Sequence, residues 1–459
     1  MKKFYFMSAA LATMMAFAAC NKTEVAPVAE SEGALGLDED IIEIAVSNTG
    51  IGTRATRPVL SSAADNNVNK VVLAFFDAEG NPIESGIVLT AVDNAQGYSV
   101  AGNVITYDEH EVEEGVPGDT DREVKTAKVK VSGLAGYEST ELTIVAYGYN
   151  GNDFPYGTPT LKGGETYYEI TSLGDKSGTS LEEVFAGNTT ATVTANLGTA
   201  ETPVYKFTSS VKIVLERQVA GMLAYFQNVP ATINETEVAK ITVEANGKSD
   251  GFYFPSTFLN TGISGDDAKK WMLNGYNTTT DSDVLLTFDL TGLTDSDSDN
   301  ILDSGFGGVS PAEGKKYKLA DEMSGLDVTK LVCENNTLFG GRYLIPYSKH
   351  VGEGEASTIV VNFWAAGDND IPLKTMKVTT GQYANCPSTS TGTHYDILCN
   401  NFYSIGQKMA SGSTNGGDGE EPGDDDPDND DDPADLSASD ELTVLINDAW
   451  AVIHNMELE

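Results

Sequence analysis

The chain has 459 residues and a formal net charge of −41, with 69 acidic against 28 basic side chains. That balance excludes nucleic acid as a partner, which demands a basic face, and fits a protein kept soluble outside the cell by self-repulsion. Four cysteines cannot frame a fold of this length, so it must rely on apolar cores, with residues enough for two domains.

Residues 1–19 begin with Lys2 and Lys3, continue as an apolar run and close on small side chains, the pattern of a secretory signal peptide. Phe17-Ala18-Ala19-Cys20 has the form of a lipobox, with Phe17 where Leu or Val is usual. Cys20 is then the lipidated residue and the new N-terminus, holding the precursor at the outer membrane. No other run is long enough to span a bilayer.

Within a propeptide region, 20–54, Ile42, Ile44 and Val46 alternate with other residues, which predicts a strand with one buried face. Just beyond it lies Gly50-Ile51-Gly52-Thr53-Arg54-Ala55-Thr56-Arg57-Pro58, a small-residue loop with two basic sites. Pro58 disfavours cleavage after Arg57, so the Arg54–Ala55 bond is the candidate site for an arginine-specific protease. The alternative is an exposed loop that is never cut.

Short alternating runs punctuated by Gly, Asn and Asp then predict an all-β chain of two antiparallel sandwiches in tandem. The first spans 55–210, with strands at 68–76, 83–89, 127–131, 141–148 and 191–196, an acidic loop at 108–122, and a short helix or turn at 181–185. The second spans 211–410, with strands at 211–215, 222–226, 239–245, 284–290, 341–346, 358–364, 374–378 and 401–407. Neither a His-Glu-x-x-His pair nor a Cys-x-x-Cys pair is present, so no enzyme and no cofactor are expected. Cys386 and Cys399 are the closer pair among Cys333, Cys386 and Cys399, and spacing does not establish a bond. Asp295, Asp297, Asp299 and Asp303 fall at positions one, three, five and nine of a calcium-type loop. Asn300 replaces the turn glycine and Phe306 the final Glu, so a solvated acidic turn is the competing reading.

Residues 411–439 form an acidic Gly/Asp/Pro linker. From 416 to 435 it cannot bury enough apolar surface to offset its ordering entropy, and it should be an extended tether. Beyond it, in 440–459, Leu442, Val444 and Ile446 alternate, followed by Trp450 and Val452. A strand on such a leash either folds back onto its own domain or completes another chain's sheet.

Taken together, Gly50 to Thr56, Lys70 to Gly80, Leu142 to Gly148, Val214 to Tyr225, Gly341 to Tyr347, Asn401 to Lys408 and the closing Trp450 to His454 resemble the fimbrillin family. This family comprises the lipoprotein-derived major and minor fimbrial subunits of Bacteroidales. The resemblance implies two transthyretin-like sandwiches, cleavage after Arg54 by an arginine-specific protease, and loss of the strand carrying Ile42, Ile44 and Val46. It further implies polymerisation with other fimbrial subunits, through a donor strand carrying Leu442, Val444, Ile446, Trp450 and Val452, into a cell-surface fimbrium that supports adhesion. The long acidic tether departs from the family pattern. The alternative is an outer-membrane glycan-binding lipoprotein, with Trp271, Trp364 and Tyr383 as a stacking platform.

Overall fold

The computed structural model describes residues 40–46, 68–92, 97–107, 126–149, 161–163, 168–170, 184–249, 251–254, 275–276, 282–309, 314–323, 333–347, 358–367, 370–380, 395–399, 401–408, 431–437 and 441–447. Among them the regular structure is strand, apart from one 3-10 turn, Asp321–Met323.

The first strands are β1 (Ile41–Val46), β2 (Lys70–Phe76), β3 (Val88–Ala91), β4 (Tyr98–Ala101), β5 (Val104–Tyr107), β6 (Thr126–Ser132), β7 (Glu141–Tyr149), β8 (Leu161–Gly163), β9 (Tyr168–Ile170), β10 (Val184–Thr192) and β11 (Val211–Arg217). All but β8 and β9 join in the order β3-β6-β1-β11-β10-β7-β2-β5-β4. β6 shows why the sequence folds this way: Ala127, Val129 and Val131 are buried while Thr126, Lys128, Lys130 and Ser132 are exposed, so one face must be covered. β11 changes partner along its length, pairing Val211–Leu215 with β1 but Glu216 and Arg217 with β10. The sheet path thereby folds into two layers around a core that includes Ile42, Ile44, Leu73, Val129, Ile144 and Ile213. β4, at one end of the path, meets β6, next to the other end, where the Tyr98 hydroxyl donates to the Lys128 carbonyl at 2.6 Å and accepts from the Lys128 N–H at 3.0 Å.

The later strands are β12 (Ala220–Gln227), β13 (Thr232–Ile233), β14 (Thr236–Glu237), β15 (Lys240–Ala245), β16 (Gly251–Phe254), β17 (Gly275–Tyr276), β18 (Asp283–Asp289), β19 (Gly308–Val309), β20 (Lys316–Leu319), β21 (Thr337–Leu344), β22 (Ile359–Trp364), β23 (Lys374–Thr380), β24 (Phe402–Ile405), β25 (Gln407–Lys408), β26 (Asp431–Asp432), β27 (Ala434–Asp435) and β28 (Glu441–Asn447). The second large sheet runs β18-β15-β22-β23-β28-β24-β12-β21-β20-β19, with β27 beside β12. Its core holds many aromatic side chains among the aliphatic ones. Tyr225 meets Phe339 edge-on at 5.7 Å and Phe226 meets Phe288 at 5.9 Å, the tilted geometry that ring quadrupoles favour. The halves are also joined: β9 pairs with β16, and Val72, Tyr147, Tyr149 and Val184 belong to the second core.

The structure departs from the sequence reading in several places. Val184 and Phe185, expected in a helix or turn, open β10, where their burial against both cores outweighs the helical reading of the acidic pair before them. The β4–β5 hairpin is an addition to the expected strands, although its two-residue Gly102–Asn103 turn, with Gly102 at φ 61°, is a recognisable signal. β11, assigned by pattern to the start of the second series, pairs in the first sheet. The large sheets are mixed rather than wholly antiparallel, since β1/β11, β12/β24, β12/β27, β20/β21 and β23/β28 run parallel. None of these pairs is joined by a tight hairpin, so nothing local imposes antiparallel pairing.

Candidate functional site

β1 lies inside the first sheet, with both edges occupied. Ile42 and Ile44 stand opposite Val129 and Ala127 of antiparallel β6, and opposite Val211 and Ile213 of parallel β11. Both isoleucines are fully buried, each contributing roughly 1.5–3 kcal/mol by the apolar area removed from water. Val46 pairs with Leu215 along the same ladder. On the opposite face, Glu43 sits between two lysines. Its carboxylate is 3.6 Å from Lys128 on β6 and 3.6 Å from Lys212 on β11. Asp40 lies 3.4 Å from Lys130 in the same way. These charges were missed in the sequence, because only the strand register brings Glu43 opposite both lysines.

β28 occupies a similar slot in the second sheet. It runs parallel to β23, with Leu442 opposite Val378 and Thr443 opposite Thr379, and antiparallel to β24, with Val444 opposite Ile405 and Ile446 opposite Tyr403. Leu442 is buried in the second core, and the Thr379 hydroxyl donates to its carbonyl at 3.3 Å. Of the two fates open to this strand, the structure shows the first: it is folded back onto its own domain. Trp450 and Val452 lie outside the described residues.

The expected linker, 411–439, needs correction at its C-terminal end. Asp431–Asp432 pair with Gln407–Lys408, so the two ends of the acidic tract are held against each other. Ala434–Asp435 then lie parallel to Phe226–Gln227, and the Leu436 N–H donates to the Gln227 carbonyl at 3.1 Å. Leu436 is buried, and the Asn228 amide donates to the Asp435 carboxylate at 2.9 Å. Gly406 makes the approach possible: it sits at φ 79°, and a Cβ there would collide with the Tyr225 carbonyl and the Ala434 nitrogen. Burial of one apolar side chain plus ladder bonds outweighs the disorder tendency of the acidic composition. The signal was Leu436 itself, an apolar residue in a polar tract. The connection from this clip to β28 is residues 437–440, which span at most about 14 Å when extended.

The acidic loop is largely self-satisfied. One carboxylate oxygen each of Asp295, Asp297 and Asp299 lies within 4.8 Å of the others. Asp303 accepts from the Ser296 hydroxyl at 2.6 Å and its N–H at 2.8 Å, which holds its carboxyl below the usual range. Asp295 accepts from the N–H groups of Ser298 and Asn300. Repulsion, chiefly from Asp299, raises the Asp297 carboxyl. Asn300, at φ 70°, takes the place of the turn glycine and exchanges bonds with the Thr232 backbone, 2.9 Å from the N–H and 3.1 Å to the carbonyl. Three carboxylates thus converge, and the fourth expected ligand is bonded to Ser296 within the same loop.

Of the three aromatic residues of the stacking-platform alternative, Trp364 alone is among the described residues. Trp364 is buried, its indole N–H donating to the Thr242 hydroxyl at 2.7 Å, with Lys240 over its ring at 5.3 Å. Trp271 and Tyr383 lie outside the described residues, as do Cys20, Arg54, Ala55 and Cys386. Cys333 and Cys399 are buried.

No known protein family matches the chain, and no curated protein matches it. Among solved structures, a candidate cell adhesion protein from Bacteroides eggerthii is similar at 10% identity and a TM-score of 0.31, over 90% of this chain and 96% of that one. A fimbrial assembly protein from Parabacteroides distasonis is similar at 11% identity and a TM-score of 0.25, over 80% and 90%. The fimbrial anchor protein of Porphyromonas gingivalis is similar at 9% identity and a TM-score of 0.25, over 70% and 76%. These are loose likenesses, and the function proposed below rests on the two terminal strands instead.

Proposed function

We propose that the chain is a non-enzymatic structural subunit of a cell-surface fimbrium, built from two transthyretin-like sandwiches and assembled by strand exchange. It is exported as a lipoprotein through Cys20 and cut by an arginine-specific protease between Arg54 and Ala55. β1, with Ile42, Ile44 and Val46, then leaves, and a C-terminal strand of another subunit enters the groove between β6 and β11. The chain's own donor is β28, with Leu442, Val444 and Ile446, followed by Trp450 and Val452. Cleavage frees the subunit from its lipid, so the partners are fimbrial subunits, the protease and, for the precursor, the outer membrane.

The observation that supports this reading is the position of β1. It is an internal strand laddered to a neighbour on each side, and Arg54 follows it in the chain. A single cut there converts an internal strand into a bound peptide, and its loss would leave two unpaired edges and an uncovered core. The names of the similar structures point the same way but carry no part of the argument at their scores.

The test is exchange. After arginine-specific cleavage, the full-length protein should release the segment ending at Arg54 when challenged with an excess of a labelled Asp40–Val46 peptide, and should take that peptide up. Arg54→Ala should abolish both release and uptake, and should remove the chain from fibres isolated from cells. Uptake by uncleaved or Arg54→Ala protein at the same rate would overturn the reading.

A further inference from the structure

We infer that the groove left by β1 is selective for a strand with the triplet apolar–acidic–apolar, and that its preferred occupant belongs to a different subunit rather than to a second copy of this chain. The inference rests on the exchange reading above, and on the charges that line the groove.

Glu43 is the central outward residue of β1, and its two carboxylate oxygens reach Lys212 on one wall and Lys128 on the other, each at 3.6 Å. The lysines are about half exposed, at 48% and 47%, whereas the Glu43 side chain is only 18% exposed. When β1 leaves, two ammonium groups face each other across an empty strand position. Any incoming strand must fill the inward positions of Ile42 and Ile44 with apolar side chains, and its residue between them meets both lysines.

β28 fits this requirement poorly in every register. Placing Leu442 and Val444 at the Ile42 and Ile44 positions sets Thr443 between the lysines, and placing Val444 and Ile446 there sets Leu445 between them. The register that brings Glu441 between the lysines puts Asp440 at the buried Ile42 position, an unpaired charge in the core. In its own sheet β28 is matched instead: Glu441 stands opposite Lys377 and Thr443 opposite Thr379. Each terminal strand is therefore charge-matched to the slot it already fills. Opposite charges across an interface act mainly as a filter on partners, and the pair Lys128 and Lys212 is such a filter. Further along, Met456-Glu457-Leu458 repeats the triplet outside the described residues, so it enters the test as a competitor.

The experiment uses the full chain after arginine-specific cleavage and follows binding of labelled peptides by fluorescence anisotropy. The peptides are Asp40–Val46, its Glu43→Thr variant, Asp440–Asn447, its Thr443→Glu variant, and residues 450–459. Glu43→Thr should weaken binding roughly three- to tenfold at low salt, and Thr443→Glu should strengthen it by a similar factor, as expected for two partly exposed ion pairs. Both differences should vanish in the double variant Lys128→Gln, Lys212→Gln and shrink in high salt. Equal binding of Asp40–Val46 and its Glu43→Thr variant would overturn the charge filter. Binding of 450–459 as tight as that of Asp40–Val46 would assign the groove to a second copy and overturn the different-subunit inference. Binding by none of the peptides would overturn the exchange reading itself, and this inference with it.

Discussion

The two ends of the chain invite comparison. β1 and β28 each enter the middle of a large sheet, and each has one parallel and one antiparallel neighbour. Both present apolar residues at alternate positions and both begin after an aspartate, Asp40 and Asp440. They differ in how they are attached and what faces them. β1 is flanked by Lys128 and Lys212 and precedes a segment bearing Arg54. β28 follows a docked clip at Leu436 and lies opposite Lys377 and Thr379. Equivalent backbone slots can thus be given different partners by the outward side chains, while the inward ones only ensure that some strand is bound.

This contrast can be broken most severely at β28. Deleting the chain from Asp440 onward should remove a central strand of the second sheet, separating β23 from β24 and uncovering Val378 and Ile405. A loss of several kcal/mol is expected, of which Leu442 alone accounts for roughly 1.5–3. A urea denaturation midpoint unchanged from the full chain would show that β28 is no integral part of its own sheet. A folded monomer, the expectation if β28 were only a donor, is therefore not the main outcome.

The matching change at β1 is Ile44→Ala, which should cost about 2–5 kcal/mol by transfer and cavity terms. After cleavage it should also speed release of the β1 peptide, read as the dissociation rate against the unaltered protein. Equal rates would mean that the isoleucine row does not hold β1 in place.

The clip separates two accounts of the acidic tract. Leu436→Ala should lower stability by about 2 kcal/mol or more, whereas deleting residues 412–427, which lie between the paired β25 and β26, should leave the melting temperature and the exchange rate unchanged. If that deletion slows exchange and Leu436→Ala does not, the tract is the working tether after all.

The smallest effect belongs to the acidic loop. The Asp297 carboxyl is raised above its ordinary 3.8, chiefly by Asp299, so stability is fully present below the unfolded value and falls as pH rises through the folded one. Asp297→Asn should therefore raise the melting temperature slightly at pH 7 and not at pH 3. If the three converging carboxylates bind calcium, millimolar calcium should raise the melting temperature of the unaltered chain and not of the variant. Superimposable curves with calcium and with chelator would leave only the solvated turn.

Much of the fold was legible in the residues because a strand with one buried face must alternate with period two. β6 could be placed within a residue or two for that reason, β7, β12, β15 and β22, buried on both faces, as short apolar runs bounded by turn residues, and Ile42, Ile44 and Leu442 could be named as buried. Composition also located the acidic tract. Pairing was not legible, because a strand's pattern says that a face is covered but not by which neighbour. Only the tertiary structure decided that β11 serves the first sheet, that Glu43 meets Lys128 and Lys212, and that Leu436 pins the end of a tract whose composition predicts disorder. It also decided that β28 lies in its own sheet. These are contacts between residues far apart in sequence, whose worth depends on register and on the loop entropy they offset. No local pattern records either quantity.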